Sequence, residues 1–492
     1  MKKMNLLLIC SDQHRASAVG PEGEIPVSTP VLDSLCEDGA VFENAYTNAP
    51  LCVPSRMSFL TGLLPSACEV LDNTDVLDSR RTTFAHLLSG GGYRTVLAGR
   101  MHFLGPDQHH GYTERLTGDV FPYALYSTLN KPYAPLAGRL GNGSSSEPVK
   151  ISGSGSTNRI DFDRAVTRDA CDWLRNYGSS GSSSPFMMTV GYWNPHPPYI
   201  APGDFYSKYA ESTRSFRHIE PELLHPFIRA RRNQIDASGL PMEIKLRTFR
   251  AYCGLVSFID HQVGELLNTL DNAGLSENTA VIYFSDHGEM LGDYGIWAKN
   301  CFYDPAVKVP FIVRMPGNYR KSSGVRITDT VSLLDLFPTL LDLAGVSWNG
   351  KYQGDSLAPL FSGDSLPARP VISEYYPNGS GRSCRMIRRG RWKLNVYGSY
   401  ETGELYDLES DPEERVNLAG DPGLGSVESS LERELYRDGW TAGTDGLVRG
   451  KLAEKGYTEM RRRMISGIKP EDYPESIPGF WHPITGSENY LD

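Results

Sequence analysis

Five short apolar runs constrain the fold of this chain more than any other feature of its sequence. They are residues 5–10, 93–98, 185–191, 280–284 and 310–314. Runs of this length that are apolar throughout, rather than alternating, are typical of strands buried on both faces of a parallel sheet. Helix-like stretches such as 83–88 and 244–270 lie between them, with glycine close behind each. This alternation predicts an α/β fold with a large, doubly wound, mostly parallel sheet flanked by helices.

The sequence changes character near residues 362–370, which are rich in Ser, Gly, Asp and Pro. We therefore predict a large first domain of residues 1–365 and a smaller α+β subdomain of residues 366–492. Three short strand-like runs follow the boundary, at 371–376, 384–389 and 391–396. They predict a small antiparallel sheet, and the tail from about Arg461 is predicted to wrap the surface.

Charge and hydropathy exclude two classes of partner. The formal net charge is −10, whereas nucleic-acid binding needs a concentrated basic surface. No stretch approaches the roughly 18 apolar residues of a membrane span. The run from Leu6 to Cys10 is shorter than the apolar core of an export signal. We therefore expect a cytoplasmic protein with mostly reduced cysteines, and the sequence leaves open whether it forms a homo-oligomer.

Polar side chains collect where the predicted strands end. Asp12 and Gln13 follow the first run, Arg100 and His102 the second, His196 the third, and Asp286 and His287 the fourth. In open α/β sheets, ligands bind beyond the carboxyl ends of the strands. The four strand ends therefore predict one active site at a single edge of the sheet.

Two of these strand ends suggest a divalent metal site. Asp12, Asp286 and the amide oxygen of Gln13 suit a hard cation such as Ca²⁺ or Mg²⁺, while the imidazole of His287 favours Mn²⁺. Each dipeptide alone is equally explained as the cap of a following helix. Because both pairs end a buried strand, we favour the metal.

Cys52 precedes a short helical pattern. Pro54 begins the pattern, residues 55–61 continue it and Gly62 ends it, so Cys52 is predicted to lie just before a helix N-terminus. At such a place the helix dipole and free backbone N–H groups favour an anion. The alternative is an ordinary buried cysteine.

The segment from Cys52 to Arg56, Cys-Val-Pro-Ser-Arg, resembles the maturation signature of type I sulfatases in the alkaline-phosphatase superfamily, and Leu-Thr-Gly at 60–62 extends the likeness. Further motifs follow in the family order. They are Gly99–His102, the segment around His196, Ser285–Gly288 and Leu405–Leu408. The segments at 105–108 and 114–116 are most similar to choline sulfatases and phosphonate monoester hydrolases.

The resemblance implies a sulfuric ester hydrolase. Its nucleophile would be Cys52, oxidised by a formylglycine-generating maturation enzyme to formylglycine (3-oxoalanine), whose hydrate attacks sulfur. Arg56 would steady the attacking hydroxyl. His196 would protonate the leaving group, and His102 would take the proton that lets the aldehyde return.

The resemblance also implies a metal and a sulfate clamp. Asp12, Gln13, Asp286, His287 and the modified Cys52 would hold one divalent metal, Ca²⁺ in preference to Mn²⁺ or Mg²⁺. Lys299 stands where the family keeps a lysine that holds the sulfate. Arg100 departs from the family, which usually has lysine there, and arginine is not a neutral replacement for lysine in such a clamp.

The expected substrate is a small organic sulfate ester, with a sulfated carbohydrate preferred. The likeness to choline sulfatases fades after Asp119, where the tyrosine-bearing segment 121–126 replaces an expected tryptophan. Tyrosines stack on sugar rings and bond their hydroxyls. Choline sulfate, and phosphonate monoesters or phosphodiesters, are the alternatives. Outside this chemistry, a catalytically inactive binding protein and a thiol hydrolase using Cys52 are the competing classes.

Overall fold

The structure is a computed structural model and describes residues 3–20, 23–105, 107–119, 145–317, 324–377, 383–398, 400–441 and 443–454. Its strands are β1 (Asn5–Asp12), β2 (Ala40–Tyr46), β3 (Arg94–Gly99), β4 (Glu114–Arg115), β5 (Gly153–Ser154), β6 (Phe186–Pro195), β7 (Ile200–Ala201), β8 (Thr279–Ser285), β9 (Phe311–Arg314), β10 (Val325–Ser332), β11 (Val371–Tyr375), β12 (Cys384–Arg389), β13 (Trp392–Tyr397) and β14 (Glu404–Asp407). Its helices are α1 (Pro30–Asp38), α2 (Cys52–Thr61), α3 (Pro65–Cys68), α4 (Phe84–Gly90), α5 (Glu147–Lys150), α6 (Asn158–Ser179), α7 (Gly203–Tyr206), α8 (Pro226–Ile235), α9 (Met242–Asn272), α10 (Asp304–Val307), α11 (Leu336–Ala344), α12 (Ala358–Phe361), α13 (Gly425–Leu435) and α14 (Thr444–Glu454).

Eight strands form the large sheet, in the order β10-β2-β9-β8-β1-β6-β3-β4. Neighbouring strands are parallel, except that β9 runs antiparallel to both β2 and β8. The predicted α/β fold with a mostly parallel sheet is therefore confirmed. All five apolar runs are strands of this sheet, because a strand covered by helices on both faces needs apolar side chains on both.

The central strand β1 shows how the sheet is covered. Leu6 and Leu8 point into a core formed with α2, α4 and α11. Leu7 and Ile9 point to the opposite face, where α1, α6 and α9 complete a second core. Side chains alternate between the faces of a strand, so helices on both sides bury both sets. This is the doubly wound arrangement.

Helix α2 begins earlier than predicted. Cys52 is its first residue and Leu51 its N-cap, whereas the sequence pattern placed Cys52 before the helix. Pro54 lies in the first turn, where its missing N–H breaks no helical hydrogen bond. Gly62 ends the helix in the left-handed conformation, with φ of 70°, as the sequence predicts.

A second, smaller sheet follows the large one in the chain. Its strands are antiparallel and ordered β11-β12-β13-β14, which confirms the predicted small antiparallel sheet. One face packs on α13. The other face contributes Met386 and Tyr397 to a core that also contains Trp297 and Tyr303 of the first 365 residues. The boundary at residue 365 stays a prediction.

Within the described part of the chain, every helix is too short or too polar to cross a bilayer. The segment 121–126 and the tail from about Arg461 lie outside the described residues. The cytoplasmic location stays a prediction, and the oligomeric state stays open.

Candidate active site

Adjacent strands of the large sheet end side by side and carry polar residues to one place. Strand β1 lies between β6 and β8, so Asp12 pairs with Pro195. On the other side of β1, Ser11 pairs with Ser285, directly before Asp286. The structure thus brings these strand ends together, as expected for parallel strands.

Strands β3 and β6 approach each other closely where Arg100 turns toward the site. The Arg100 N–H donates to the Gly191 carbonyl at 2.8 Å. A Cβ at position 191 would lie 1.9 Å from the Arg100 carbonyl oxygen. Only glycine allows this contact, so Gly191 lets Arg100 leave its strand beside β6.

Four possible metal ligands form a compact, buried cluster. Asp12, Cys52, Asp286 and His287 each offer a donor atom within 4.8 Å of the others. His287 Nδ1 donates to the Gly288 carbonyl at 3.1 Å, so its Nε2 lone pair faces the cluster. Burial lowers the pKa of His287, which favours the neutral, ligating form.

Gln13, the fifth predicted ligand, is held at both ends of its amide. Its Nε2 donates to Glu289 and its Oε1 accepts from Lys299. The backbone N–H of Gln13 donates to Asp286 Oδ1 at 3.1 Å. Gln13 has φ of 70°, a backbone strain typical of functional sites. The amide oxygen therefore points to Lys299, whose Nζ also lies 3.4 Å from Cys52 Sγ.

Cys52 lies at the centre of the predicted site. Its Sγ is 3.2 Å from His287 Nε2, 3.7 Å from Asp12 Oδ1 and 3.4 Å from Lys299 Nζ. Burial and the Asp12 carboxylate raise the pKa of the thiol to about 11. The unmodified side chain is thus a neutral thiol at pH 7 and a poor nucleophile.

Two arginines neutralise the carboxylates. Arg56 donates from Nε to Asp286 at 2.8 Å and from Nη2 to Asp12 at 3.1 Å. Arg100 Nε donates to Asp12 at 2.6 Å. Burial by itself would raise the pKa of Asp12, but Arg100, Arg56 and Lys299 outweigh it and hold that pKa well below its usual range.

One nitrogen of Arg100 has no hydrogen-bond acceptor among the described residues. This Nη1 lies 3.6 Å from Asp119 Oδ1, beyond hydrogen-bond distance. The guanidinium lies over the indole ring of Trp193, with Cζ 3.7 Å from the ring centroid. A buried guanidinium with a free N–H is suited to bind an anion.

The two predicted acid–base histidines differ in which ring nitrogen carries the proton. His102 Nδ1 lies 2.8 Å from Arg100 Nη2, which only donates, so neutral His102 carries its proton on Nε2. His196 Nδ1 donates to the Pro197 carbonyl at 2.7 Å, which leaves Nε2 for the site. Burial, reinforced by Arg100 for His102 and by Lys299 for His196, lowers both pKa values well below their usual range.

The structure brings the sequence-predicted residues together, but not all by direct contact. Hydrogen bonds and ion pairs join all of them except His196 into one network. His196 joins the group through Trp193, whose ring lies 5.9 Å from the imidazole. Sequence reasoning missed Trp193, Asp163 and Glu289. Glu289 lies two residues beyond His287, but nothing in its residue type distinguishes it from a surface glutamate.

Known proteins match this chain over most of its length. The profile of the sulfatase family covers residues 4–346, and that of the N-sulphoglucosamine sulphohydrolase C-terminal region covers residues 292–439. The chain belongs to the sulfatase family. This sulfatase is 35% identical, over 444 residues, to the choline-sulfatase of Rhizobium meliloti (strain 1021), a match that covers 85% of this chain and 83% of that protein.

Solved structures support the same fold. The phosphonate monoester hydrolase of Agrobacterium radiobacter aligns with a TM-score of 0.74 and 23% identity, covering 88% of this chain and 95% of that one. A protein solved with its substrate D-glucosamine-2-N,6-O-disulfate aligns with a TM-score of 0.69 and 20% identity, covering 89% and 99%. The predicted family and enzyme class, a sulfuric ester hydrolase, are confirmed by the family match.

A divalent metal fits the donors of this sulfatase. Asp12, Asp286 and the Gln13 amide offer hard oxygen ligands, and neutral His287 offers one nitrogen. The Nδ1–H of His287 is held by a backbone carbonyl, which is the arrangement that orients a ligating imidazole. The structure thus supplies a donor set compatible with a metal.

Proposed function

We propose that this sulfatase releases inorganic sulfate from a small organic sulfate ester through a formylglycine hydrate made from Cys52. The observation that carries the proposal is the position of Cys52. It is buried at the first residue of α2, against His287 and Asp12, with Lys299 3.4 Å away. Two further observations support a hydrated aldehyde here: residue 52 lies inside the stretch that the sulfatase family matches, and burial raises the pKa of the unmodified thiol to about 11, which disfavours the thiolate.

The residues around position 52 prepare the attack on sulfur. Asp12, Gln13, Asp286, His287 and the modified residue 52 hold a divalent metal, Ca²⁺ in preference to Mn²⁺ or Mg²⁺. Once bound, the metal supplies positive charge that offsets the negative charge on the reacting groups. Lys299 and the free Nη1 of Arg100 bind sulfate oxygens, and Arg56 fixes the two carboxylates that surround the hydrate.

The first step transfers the sulfuryl group to residue 52. One hydroxyl of the hydrate gives its proton to a carboxylate of the site and forms a bond to sulfur, and the bond from sulfur to the ester oxygen breaks. His196, when protonated on both ring nitrogens, gives its Nε2 proton to the leaving oxygen and keeps its Nδ1–H on the Pro197 carbonyl. The carbonyl of Pro197 keeps the ring turned so that Nε2, and not Nδ1, faces the site.

The second step regenerates the aldehyde. The remaining hydroxyl loses its proton to His102, the bond from carbon to the sulfate oxygen breaks, and the aldehyde forms again. Water then restores the hydrate. His102 accepts the proton at Nδ1, because the neutral ring carries its own proton on Nε2 and has its lone pair on Nδ1.

The charges near the leaving group favour a sulfated carbohydrate over choline sulfate. Arg100 and Arg159 both lie over Trp193, at 3.7 and 4.4 Å from its centroid, beside His196. The indole face that would hold a quaternary ammonium by cation–π contact is thus covered by guanidinium groups. Two cations there repel choline, whereas the hydroxyls of a sugar accept hydrogen bonds from them. The 35% identity to a choline-sulfatase keeps choline sulfate as the second candidate.

Mass spectrometry tests the nucleophile. Co-expression with a formylglycine-generating enzyme should give a peptide whose residue 52 is an aldehyde, and activity should follow the fraction converted. Cys52→Ala should abolish turnover, whereas Cys253→Ala, at a buried cysteine of α9, should not. Full activity from unconverted protein would refute the proposed nucleophile.

A substrate panel tests the chemistry and the leaving group. We expect kcat/KM for sulfated mono- and disaccharides to exceed that for choline sulfate, and nitrophenyl sulfate to exceed nitrophenyl phosphonate esters. A clear preference for choline sulfate would overturn the carbohydrate assignment. A clear preference for phosphonate esters would replace the sulfatase proposal with a phosphonate hydrolase.

A further inference from the structure

Glu289 is a fully buried carboxylate in the site that the proposed reaction does not use. It is 0% exposed and accepts hydrogen bonds from four donors. These donors come from three separate parts of the chain: the end of β1, the segment after β6, and the loop that carries Lys299. Such a carboxylate can hold the ends of several elements in fixed relation.

The two oxygens of Glu289 have different partners. Oε1 accepts from the backbone N–H groups of Leu291 at 2.7 Å and Ala298 at 2.6 Å. Oε2 accepts from the Tyr199 hydroxyl at 2.9 Å and from Gln13 Nε2. The backbone bonds fix the carboxylate, because main-chain N–H groups in this loop cannot turn away. The direction of the hydrogen bond from Gln13 Nε2 to Oε2 is therefore fixed.

A carboxylate fixes the orientation of the Gln13 amide because an ionised carboxylate only accepts hydrogen bonds. The amide must direct Nε2 to Glu289, and so Oε1 is directed to the opposite side, where Lys299 contacts it. With the amide turned over, Nε2 would instead lie on the side of Lys299 and Cys52. An amide N–H₂ carries positive hydrogens and cannot bind a cation.

Glu289 also supports the backbone beside Lys299. Its Oε1 accepts from Ala298, the preceding residue, which has φ of 63°. Left-handed backbone at a non-glycine residue persists only where neighbouring contacts hold it. The same carboxylate thus fixes both a metal ligand and the starting point of the sulfate-binding lysine.

We propose that Glu289 is a positioning residue that sets the Gln13 amide so that its oxygen, not its nitrogen, faces the divalent metal. This inference rests on the proposed function, in which Gln13 is a metal ligand. Partners that orient metal ligands typically contribute about 10–100-fold to metal affinity.

Glu289→Gln tests the inference with little change in shape. The new side-chain amide keeps its oxygen on the two backbone N–H groups and so offers its own N–H₂ to Gln13. Gln13 must then turn its oxygen to that N–H₂ and its nitrogen to the metal. We expect the Kd for Ca²⁺ and for Mn²⁺, each measured alone by titration calorimetry on chelator-treated protein, to rise about 10–100-fold.

A charge-swapped variant provides the rescue. In the double variant Gln13→Glu with Glu289→Gln, the carboxylate at position 13 accepts from the amide at position 289 and still presents an oxygen to the metal. We expect it to recover most of the lost affinity. The double variant also tests the role of Glu289 if the single variant Glu289→Gln does not fold. A folded double variant that binds no metal would overturn the inference.

Glu404→Gln is a matched control. Glu404 is also buried, accepts from the hydroxyls of Tyr303 and Tyr406 at 3.0 Å each, and belongs to the small sheet. The metal affinity of this variant should equal that of the wild type. Wild-type affinity in Glu289→Gln would refute the role of Glu289 and leave the proposed function intact. An Asp286→Asn variant that binds metal as well as the wild type would instead refute the metal site itself.

Discussion

At the scale of single residues, the Arg100 side chain contacts a carboxylate, an imidazole and an indole ring at the same time. It donates to Asp12 and His102 and lies over Trp193. A lysine at this position would have one nitrogen and could not make these planar contacts together. Trp193 places a flat apolar surface beneath this guanidinium.

Arg100→Lys should impair this enzyme even though it keeps the positive charge. The variant loses a charge-assisted hydrogen bond, worth about 1.5–3 kcal/mol, and its stacking on Trp193. We expect kcat/KM for a sulfate ester to fall about 10–100-fold, mostly through KM, because the clamp binds the sulfate in the ground state as well. Steady-state kinetics on matured protein measure this. An unchanged KM would show that Arg100 does not bind the sulfate.

His196→Ala should affect substrates according to their leaving groups. A general acid contributes about 10²–10⁴-fold where the leaving oxygen needs a proton. We expect losses of this size on alkyl or sugar sulfates and a much smaller loss on nitrophenyl sulfate, whose leaving group departs without a proton. Equal losses on both classes would assign His196 a role other than that of the acid.

At the scale of elements, the N-terminal part of α6 fixes the segment that carries His196. Asp163 accepts from the backbone N–H groups of Trp193 at 2.7 Å and Asn194 at 3.0 Å. Arg159, one turn earlier, donates to the Pro197 carbonyl. The proposed acid, His196, thus lies on a segment held by a helix rather than on a free loop, which preserves its orientation.

The Asp163 carboxyl should make stability depend on pH. Burial raises its pKa from 3.8 to about 7, so between these values the folded chain holds a proton that the unfolded chain has lost. Its contribution to stability therefore falls as the pH rises through this range. Asp163→Asn cannot ionise. As the pH rises from 3.8 toward about 7, the wild type therefore loses stability that the variant keeps. We expect the difference in free energy of unfolding, variant minus wild type, to increase by up to about 1.4 kcal/mol per pH unit over this range.

Urea unfolding at about pH 5 and about pH 8 measures the difference, since these values lie on either side of the raised pKa. Asp161→Asn is the control, because Asp161 lies on the same helix with its side chain 70% exposed. Parallel pH profiles for Asp163→Asn and wild type would show that Asp163 titrates normally.

At the scale of the whole molecule, a buried ion network joins the small sheet to the large one. Lys393 of β13 is buried and lies 2.7 Å from both Asp304, at the start of α10, and Glu414. The pair Glu374–Arg385 lies nearby in the chain, and Glu374 also accepts from the Ser66 N–H at 2.8 Å. The small sheet thus completes the packing beside α2 and α3.

A chain ended at residue 365 should therefore not fold by itself. It would expose the core surface that Met386 and Tyr397 cover and leave Asp304 without Lys393. We expect such a chain to be insoluble or to lack a cooperative thermal transition by circular dichroism. Co-expression of residues 366–454 as a separate chain should restore soluble complex. A stable, soluble 1–365 fragment would show that the two parts are independent domains.

The sequence by itself determined the class of fold, and it predicted most of the residues that the structure brings together around Cys52. Continuous apolar runs identified the buried central strands, because strands covered on both faces have no polar alternation. Polar dipeptides at their ends identified Asp12, Asp286 and His287, because parallel strands end at a common edge. Strands β2 and β10 were missed, since their polar residues, among them Glu43 and Asp329, interrupt any apolar run.

The tertiary structure alone decided which groups orient the site. Glu289, Asp163 and Trp193 act through neighbours far away in the chain: Glu289 bonds Gln13, Asp163 bonds Asn194, and Trp193 supports Arg100. The sequence does not distinguish a buried carboxylate from an exposed one. Only the buried carboxylate has to accept hydrogen bonds from protein groups, because packing removes it from water. The strand ends supply the reactive groups, whereas the fold determines in which direction each of them points.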